Sequence, residues 1–245
     1  MANTVLRNNA TPIYAFLSFI HTEQAKDEKM DFIKILDCGA GGSVPPLALF
    51  CEHGFDTWGI DVSDEQLKLA RQFCDEKRLQ INFRKGDMRQ IPFDDKSYEY
   101  VYEHYSMCHL SKEDTAKAIS EMNRVTKIKG ACFLGIISTD SWPKSSYGEE
   151  KAFGEYWMEE ENGLVRHSLF TDKEADQLVA GWEVLKKEKR VICLMDEAQQ
   201  TSIENWMELY IGMEDLYTKD AWRNQYSQRM NKFNYTHIYY LLRKH

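Results

Sequence analysis

The chain has 245 residues and a formal net charge of −8, and 43% of its residues are hydrophobic. That content is sufficient for a packed core. The acidic balance disfavours nucleic acid as a partner, because phosphate backbones carry the same sign of charge. No apolar run approaches the roughly 20 residues that cross a bilayer, so we expect no membrane segment and no signal peptide.

The six cysteines are widely spaced and include no C-x-x-C pair. This spacing argues against a zinc site, and no other metal site is predicted. Several of the cysteines fall in apolar strand-like or helix-like patterns, which indicates reduced core thiols in a cytoplasmic protein.

The first 32 residues predict an amphipathic helical segment. Tyr14, Phe16 and Phe19 occur together there. Two interpretations remain open: Tyr14 folds over a bound cofactor, or the helix packs on the edge of the sheet.

Residues 33–43 read Ile-Lys-Ile-Leu-Asp-Cys-Gly-Ala-Gly-Gly-Ser, an apolar run that ends in an acid and a glycine-rich turn. Such a run is typical of a buried strand in a parallel sheet. Val44, Pro45 and Pro46 then begin a helical stretch, since proline is favoured in a first helical turn. Doubly wound α/β folds hold nucleotide-like ligands at this strand, turn and helix.

The following residues alternate strand-like and helix-like segments as far as residue 139. We predict strands at 56–61, 80–84, 98–103 and 130–138, and helices at 63–77 and 111–127 with Ser63 and Ser111 as N-caps. Repeated βα units predict a doubly wound, mainly parallel sheet of the Rossmann-like type. Residues 33–139 are therefore the predicted cofactor-binding core.

The alternation stops after the fifth strand. Residues 140–170 predict an irregular, aromatic and acidic lid, followed by a helix from Thr171 or Asp172 to Ala180 and a strand at 181–193. Residues 194–233 predict a helical cap, and 235–242 an antiparallel last strand. We therefore expect one domain over 1–245, with a seven-stranded sheet and two cap insertions.

Three acids follow the first three predicted strands, and such positions meet in one crevice. Asp61, 22 residues after Gly39, is placed to accept hydrogen bonds from two ribose hydroxyls. Asp87 can accept from an adenine amino group, and the Met88 backbone N–H can donate to a ring nitrogen. Asp37 can order water or bind an ammonium group.

A dinucleotide is the rival ligand for this crevice. Its pyrophosphate needs free helix-terminus N–H groups and usually a third glycine, where this chain has Val44. Pro45 and Pro46 also lack N–H groups. Three acids without a predicted basic neighbour favour a cationic ligand, and S-adenosylmethionine combines adenine, ribose, a sulfonium and an ammonium group.

With these motifs the chain resembles the class I S-adenosylmethionine-dependent methyltransferases, in their small-molecule branch. Residues 36–43, 59–63 and 86–88 are similar to the first three motifs of that family, and the resemblance covers roughly 33–139 and, more weakly, 170–185 and the last strand. It departs at Glu99 and at the turn 127–130. The resemblance implies that the cofactor contacts Asp37, Cys38, Gly39, Ala40, Gly41, Asp61, Val62, Asp87, Met88, Glu103 and Tyr14.

The function implied is methyl transfer to a nitrogen or oxygen of a small molecule, with S-adenosylhomocysteine as the product. His104 is the candidate general base, with Tyr105 beside it; a structural histidine is the open alternative. The acidic, aromatic segment 147–161 favours an amine substrate or is a solvated face. A non-catalytic S-adenosylmethionine-binding protein and a nicotinamide-dependent dehydrogenase are the other hypotheses. The protein is expected to be a monomer or a homodimer.

Overall fold

The computed structural model describes residues 11–25, 33–141, 144–160, 163–193 and 234–245. Its helices are α1 (Thr11–Gln24), α2 (Leu47–Glu52), α3 (Asp64–Lys77), α4 (Lys112–Val125) and α5 (Asp172–Leu178). Its strands are β1 (Lys34–Cys38), β2 (Asp56–Asp61), β3 (Asn82–Lys85), β4 (Tyr98–Tyr102), β5 (Thr126–Ser138), β6 (Glu149–Ala152), β7 (Glu155–Glu160), β8 (Gly163–Phe170), β9 (Glu183–Cys193) and β10 (Asn234–Arg243).

Seven strands form the predicted doubly wound sheet, in the order β3-β2-β1-β4-β5-β10-β9. The first five strands are parallel, and β10 runs antiparallel to both β5 and β9. The predicted fold class and its antiparallel last strand are confirmed. The chain reverses its direction of winding between β1 and β4, and a crevice for a ligand opens at such a point.

The prediction of an irregular lid at 140–170 is wrong. Strands β6, β7 and β8 form an antiparallel extension there, and β8 joins the main sheet by pairing parallel with the end of β5, Leu169 opposite Ile137. Over the described residues the sheet therefore has ten strands rather than seven. Tyr147 and Tyr156 are buried with Leu169 in a small apolar cluster, and this burial is what holds the extension against the core.

Capping residues define several helix ends as predicted. The Ser63 and Ser111 hydroxyls accept hydrogen bonds from backbone N–H groups of α3 and α4. Thr171, rather than Asp172, caps α5, in a reciprocal capping box with Glu174.

The end of α4 differs from the prediction, because the helix ends at Val125 and β5 begins at Thr126, four residues early. The Lys244 ammonium donates to the carbonyl oxygens of Asn123, Arg124 and Thr126 at 2.5, 3.2 and 2.8 Å. These hydrogen bonds satisfy carbonyl groups at the end of α4. Their donor, Lys244, lies at least 118 residues after those carbonyls in the sequence.

Helix α1 packs against one face of the sheet, over the inner strands β4 and β5, rather than on the sheet edge that one of the two interpretations expects. The Phe16 ring is buried and lies 5.4 Å from the Phe133 ring and 6.0 Å from the Tyr100 ring. The predicted cap at 194–233 lies outside the described residues. No described helix combines the length and apolar character that a membrane crossing requires.

Candidate active site

A cleft of about 500 Å³ lies at the carboxyl ends of the parallel strands. The structure brings Gly39, Gly41, Asp61, Val62, Asp87, Met88 and Tyr105 of the predicted residues to its walls. Further lining residues, which the sequence analysis missed, are Ile60, Gln66, Gly86, Arg89, Ser106, His109 and Leu110. Ser106 could have been found from its position directly after Tyr105, and Gln66 from its place in the first turn of α3.

The glycine turn uses its own N–H groups to fix its shape. The N–H groups of Gly39 and Ala40 both donate to the Ile60 carbonyl at 2.9 Å. The Gly41 N–H donates to the Asp61 carboxylate at 3.1 Å, and the Gly42 N–H to the Gln66 carbonyl at 3.1 Å. Four successive donors are therefore already bonded, and this turn cannot cradle a pyrophosphate without breaking those bonds.

Glycine is required at positions 39 and 41 by close packing. Gly39 has φ +123°, and a Cβ there would lie 2.1 Å from the Ser106 Oγ. A Cβ at Gly41 would lie 2.5 Å from the Asp61 Oδ2. Both distances are below any real contact, so the turn can lie against β2 and Ser106 only without side chains.

We expect Gly39→Ala to lower the free energy of unfolding by about 2 kcal/mol or more, because the left-handed backbone and the clash with Ser106 both oppose a methyl group. Gly181→Ala is the matched control, since its Cβ would meet no atom within 4 Å. Urea unfolding of both variants checks this; equal midpoints would contradict the packing described for the turn.

The Asp61 carboxylate is oriented by backbone donors at the mouth of the cleft. Its Oδ1 accepts from the Ser63 N–H at 2.9 Å, and its Oδ2 from the Gly41 N–H. Each carboxylate oxygen has a second lone pair. A vicinal pair of hydroxyls in the cleft can therefore donate to an acceptor that is already held in place.

Asp87 is paired with a basic residue, Arg89, so the expectation of a crevice without basic residues is wrong. The Arg89 guanidinium also lines the cleft, donates to Asp87 at 2.6–3.0 Å and bonds Asp114 at 3.0 Å. Hydrogen bonds from Arg89 lower the pKa of Asp87. An adenine amino group would have to replace one of these arginine contacts.

Two further acids form a buried wall behind the glycine turn. Asp37 is 1% exposed and accepts a hydrogen bond from the Tyr102 hydroxyl at 2.6 Å. Burial raises the pKa of Asp37 to about 8, which Glu103 and Asp61 reinforce. Burial likewise raises the pKa of Glu103 to about 7. Both carboxyls therefore hold protons that a nearby cation would displace.

One carboxylate oxygen of Glu103 accepts hydrogen bonds, and the other has no hydrogen-bond partner among the described residues. Its Oε1 accepts from the Met107 N–H at 2.7 Å and from the Ser106 N–H. Its Oε2 is buried and has no hydrogen-bond partner among the described residues. An unpaired buried oxygen of this kind calls for a donor that the described residues do not supply.

Of the other predicted residues, Cys38 and Ala40 are fully buried behind the turn, and burial raises the pKa of the Cys38 thiol well above its usual range. His104 is partly buried and lies beside Tyr105, with ring centroids 4.0 Å apart. Tyr14 is 40% exposed on α1 and does not line the cleft. Thus the structure brings Tyr105 to the cleft but not Tyr14.

These residues fit S-adenosylmethionine better than a dinucleotide. Asp61 offers two oriented oxygens, no cation bonds Asp37 or Glu103 among the described residues, and the N–H groups of residues 39–42 are already engaged. This mainly parallel strand order and this site are those that the resemblance to class I methyltransferases predicts, with S-adenosylmethionine as the cofactor.

Comparison with known proteins agrees with this class. Residues 35–130 match the family described as "Methyltransferase domain". A solved S-adenosylmethionine-dependent methyltransferase from Methanosarcina mazei superposes with a TM-score of 0.63 over 92% of this chain and 96% of its own, at 15% identity. That similarity supports the fold.

Curated relatives are similar over the same core. The sarcosine/dimethylglycine N-methyltransferase of Aphanothece halophytica is 31% identical over 45% of this chain and 40% of its own length. The demethylmenaquinone methyltransferase of Chlorobaculum tepidum is 31% identical over 41% of this chain and 39% of its own. The chain therefore spans about two fifths of the length of these relatives.

Proposed function

We propose that this protein transfers the methyl group of S-adenosylmethionine to a nitrogen or oxygen of a small molecule. The observation that carries the proposal is the cleft itself, in which a fully bonded glycine turn adjoins an oriented Asp61 and a buried acidic wall. The relatives named as sarcosine and demethylmenaquinone methyltransferases support a small-molecule acceptor. The acidic surface of the chain does not suit nucleic acid.

Each part of the cofactor has a candidate partner. Asp61 binds the ribose hydroxyls. The Met88 backbone N–H and the Asp87 carboxylate bind adenine, once one hydrogen bond between Arg89 and Asp87 is broken. Glu103 and Asp37, behind the glycine turn, attract the positively charged amino-acid end. Val62, 60% exposed at the cleft, covers one face of the nucleoside.

When bound, the cofactor supplies a methyl group on a sulfonium that a nucleophile can attack. The protein has to hold that nucleophile in line at roughly 3–3.5 Å, and positioning of this kind alone gives a large acceleration. Tyr105 lines the cleft next to the glycine turn and is placed to orient the acceptor. His104 beside it is our candidate base for an acceptor that arrives protonated.

We also propose a cellular location for the protein and consider whether its acceptor is an amine. We place the protein in the cytoplasm, and the free state of the five described cysteines supports that location. The acids of β6 and β7 contribute little to an amine site, since Glu149 and Glu150 are exposed while Tyr147 and Tyr156 are buried.

Incubation with S-adenosylmethionine carrying a labelled methyl group and a small-molecule extract tests the proposal. We expect label in the small-molecule fraction, and Asp61→Asn should remove most of it. Label confined to protein or nucleic acid, or full transfer by the variant, would contradict the assignment. Asp64→Asn is the matched control, because Asp64 is an exposed carboxylate that pairs with Lys85 outside the cleft.

A further inference from the structure

A buried histidine on β10 takes no part in the function proposed above. His237 lies opposite Ile137, near the carboxyl end of β5, because β10 runs antiparallel to that strand. Strand β4 is the parallel neighbour of β5 on its other side. The His237 ring lies at the same edge of the sheet as the residues that follow β4, with its centroid 4.9 Å from that of Tyr105.

The His237 side chain is fully buried, and neither of its ring nitrogens has a hydrogen-bond partner among the described residues. Burial, together with the nearby His104, lowers the pKa of His237 to about 3. The ring therefore stays neutral at neutral pH and keeps one nitrogen as an acceptor. Buried polar groups are nearly always paired, so this nitrogen calls for a donor that the described residues do not supply, which a bound ligand can provide.

Aromatic rings surround the histidine. The Tyr235 ring lies 4.4 Å away edge-on, and the Tyr239 ring lies 5.6 Å away and nearly parallel. Tyr105 completes the group, with its hydroxyl 2.6 Å from that of Tyr239. We call Tyr105, Tyr235, His237 and Tyr239 the β10 aromatic cluster. Flat rings on three sides suit a flat, aromatic ligand.

Tyr105 separates this cluster from the cofactor cleft. Its side chain contacts His237 and also lines the cleft. Its backbone has φ +67°, a conformation that a bulky residue rarely adopts. Strain of this kind is concentrated in functional sites. A turn of the Tyr105 side chain would join the cluster to the cleft.

A positive charge on the neighbouring strand β9 disfavours a cationic donor at His237. Arg190 lies opposite His237 on β9, and its guanidinium lies 5.9 Å from the centre of the Tyr239 ring. It pairs with Glu188 at 2.7 Å, so this carboxylate is already engaged. A hydroxyl supplies a hydrogen-bond donor without adding a second positive charge beside the guanidinium.

We propose that the β10 aromatic cluster is the acceptor subsite, and that His237 accepts a hydrogen bond from the hydroxyl of a phenol-like substrate. The inference rests on the proposed function and names the class of its acceptor. His237 orients the hydroxyl oxygen toward the cleft, and Tyr105 turns aside to admit the aromatic ring. No covalent change occurs at His237 itself.

Binding of two probes, phenol and anisole, tests this subsite without turnover. The full chain carries ¹⁵N-labelled histidine and is titrated with and without S-adenosylhomocysteine. We expect phenol to shift the His237 ring-nitrogen resonances and to bind about tenfold more tightly than anisole, which lacks the donor. His237→Phe should bind both probes equally, whereas exposed His53→Phe should keep the preference. Equal binding by the unaltered protein, or a preference that survives His237→Phe, would overturn the inference.

The outcomes separate this inference from the proposed function. A phenol preference at His237 without any S-adenosylmethionine binding would leave the subsite standing and overturn the methyltransferase proposal. Cofactor binding and methyl transfer without a phenol preference would overturn the subsite alone. If His237→Phe does not fold, His237→Leu replaces it, because it also lacks an acceptor, and the ring-nitrogen shifts of the unaltered protein still decide the question.

Discussion

Asp61→Asn is expected to weaken S-adenosylmethionine binding about 100-fold. The Asp61 carboxylate lies in the cleft with each oxygen already bonded to one backbone N–H, so the remaining lone pairs are oriented for two ribose hydroxyls. Hydrogen bonds to a charged group contribute about 1.5–3 kcal/mol each, and the amide replaces one acceptor by a donor. Calorimetric titration of the variant measures the loss.

Two controls make this result specific. Asp64→Asn removes an exposed carboxylate three residues away and should leave the affinity unchanged. The thermal midpoint of Asp61→Asn shows whether the glycine turn survives loss of the Gly41 contact. A folded Asp61→Asn variant that binds the cofactor as tightly as the unaltered protein would contradict the ribose assignment.

The second large effect is a dependence of cofactor affinity on pH. Glu103 and Asp37 have pKa values raised to about 7 and about 8 by burial, so both carboxyls are largely protonated below pH 7. A positive ligand favours their ionised forms, and binding therefore releases protons. The affinity for S-adenosylmethionine should rise between pH 5.5 and 7.5, by up to about tenfold per pH unit for each proton released.

The ligand-free protein should show the opposite trend in stability. An acid whose pKa is higher in the folded than in the unfolded state stabilises the fold at low pH, and this contribution is lost as the pH rises through the folded value. The free energy of unfolding should therefore fall between about pH 6.5 and pH 8, above the range in which the lowered pKa of His237 adds stability with rising pH. Cofactor affinity and ligand-free stability thus change in opposite directions over an overlapping range.

Glu103→Gln tests the origin of both trends. The amide oxygen can still accept from the Ser106 and Met107 N–H groups, but it does not titrate. Calorimetry in buffers with different ionisation enthalpies should show fewer protons released and a flatter pH profile. A profile with the same slope as that of the unaltered protein would show that Glu103 does not face the cation.

The core of the fold is predictable because its signals are local. The acid and glycine turn after β1 and the serine caps at 63 and 111 each depend on a few neighbouring residues, and the structure has these elements where the pattern indicates them. The β6–β8 extension was missed because its charged residues suggested a loop. Burial of Tyr147 and Tyr156 against Leu169 depends on tertiary contacts that the sequence pattern does not show.

Prediction of the site has a similar limit. The positions of Asp61 and Met88 in the cleft follow from strand order alone, since parallel strands end at one edge. The pairing of Arg89 with Asp87 and Asp114 depends on how the loop after β3 approaches the first turn of α4, so the crevice was wrongly expected to lack a basic residue. His237 was missed because the burial of its ring nitrogens without a hydrogen-bond partner among the described residues is visible only once β10 lies beside β5.

Calorimetric titration with S-adenosylmethionine and, separately, with NAD tests the central claim most directly. The cleft has an oriented Asp61, the N–H groups of residues 39–42 of its glycine turn are already bonded, and the acidic Asp37 and Glu103 are buried behind that turn. We therefore predict saturable binding of S-adenosylmethionine and no measurable binding of NAD at the same concentrations. Tight binding of NAD without binding of S-adenosylmethionine would contradict the account.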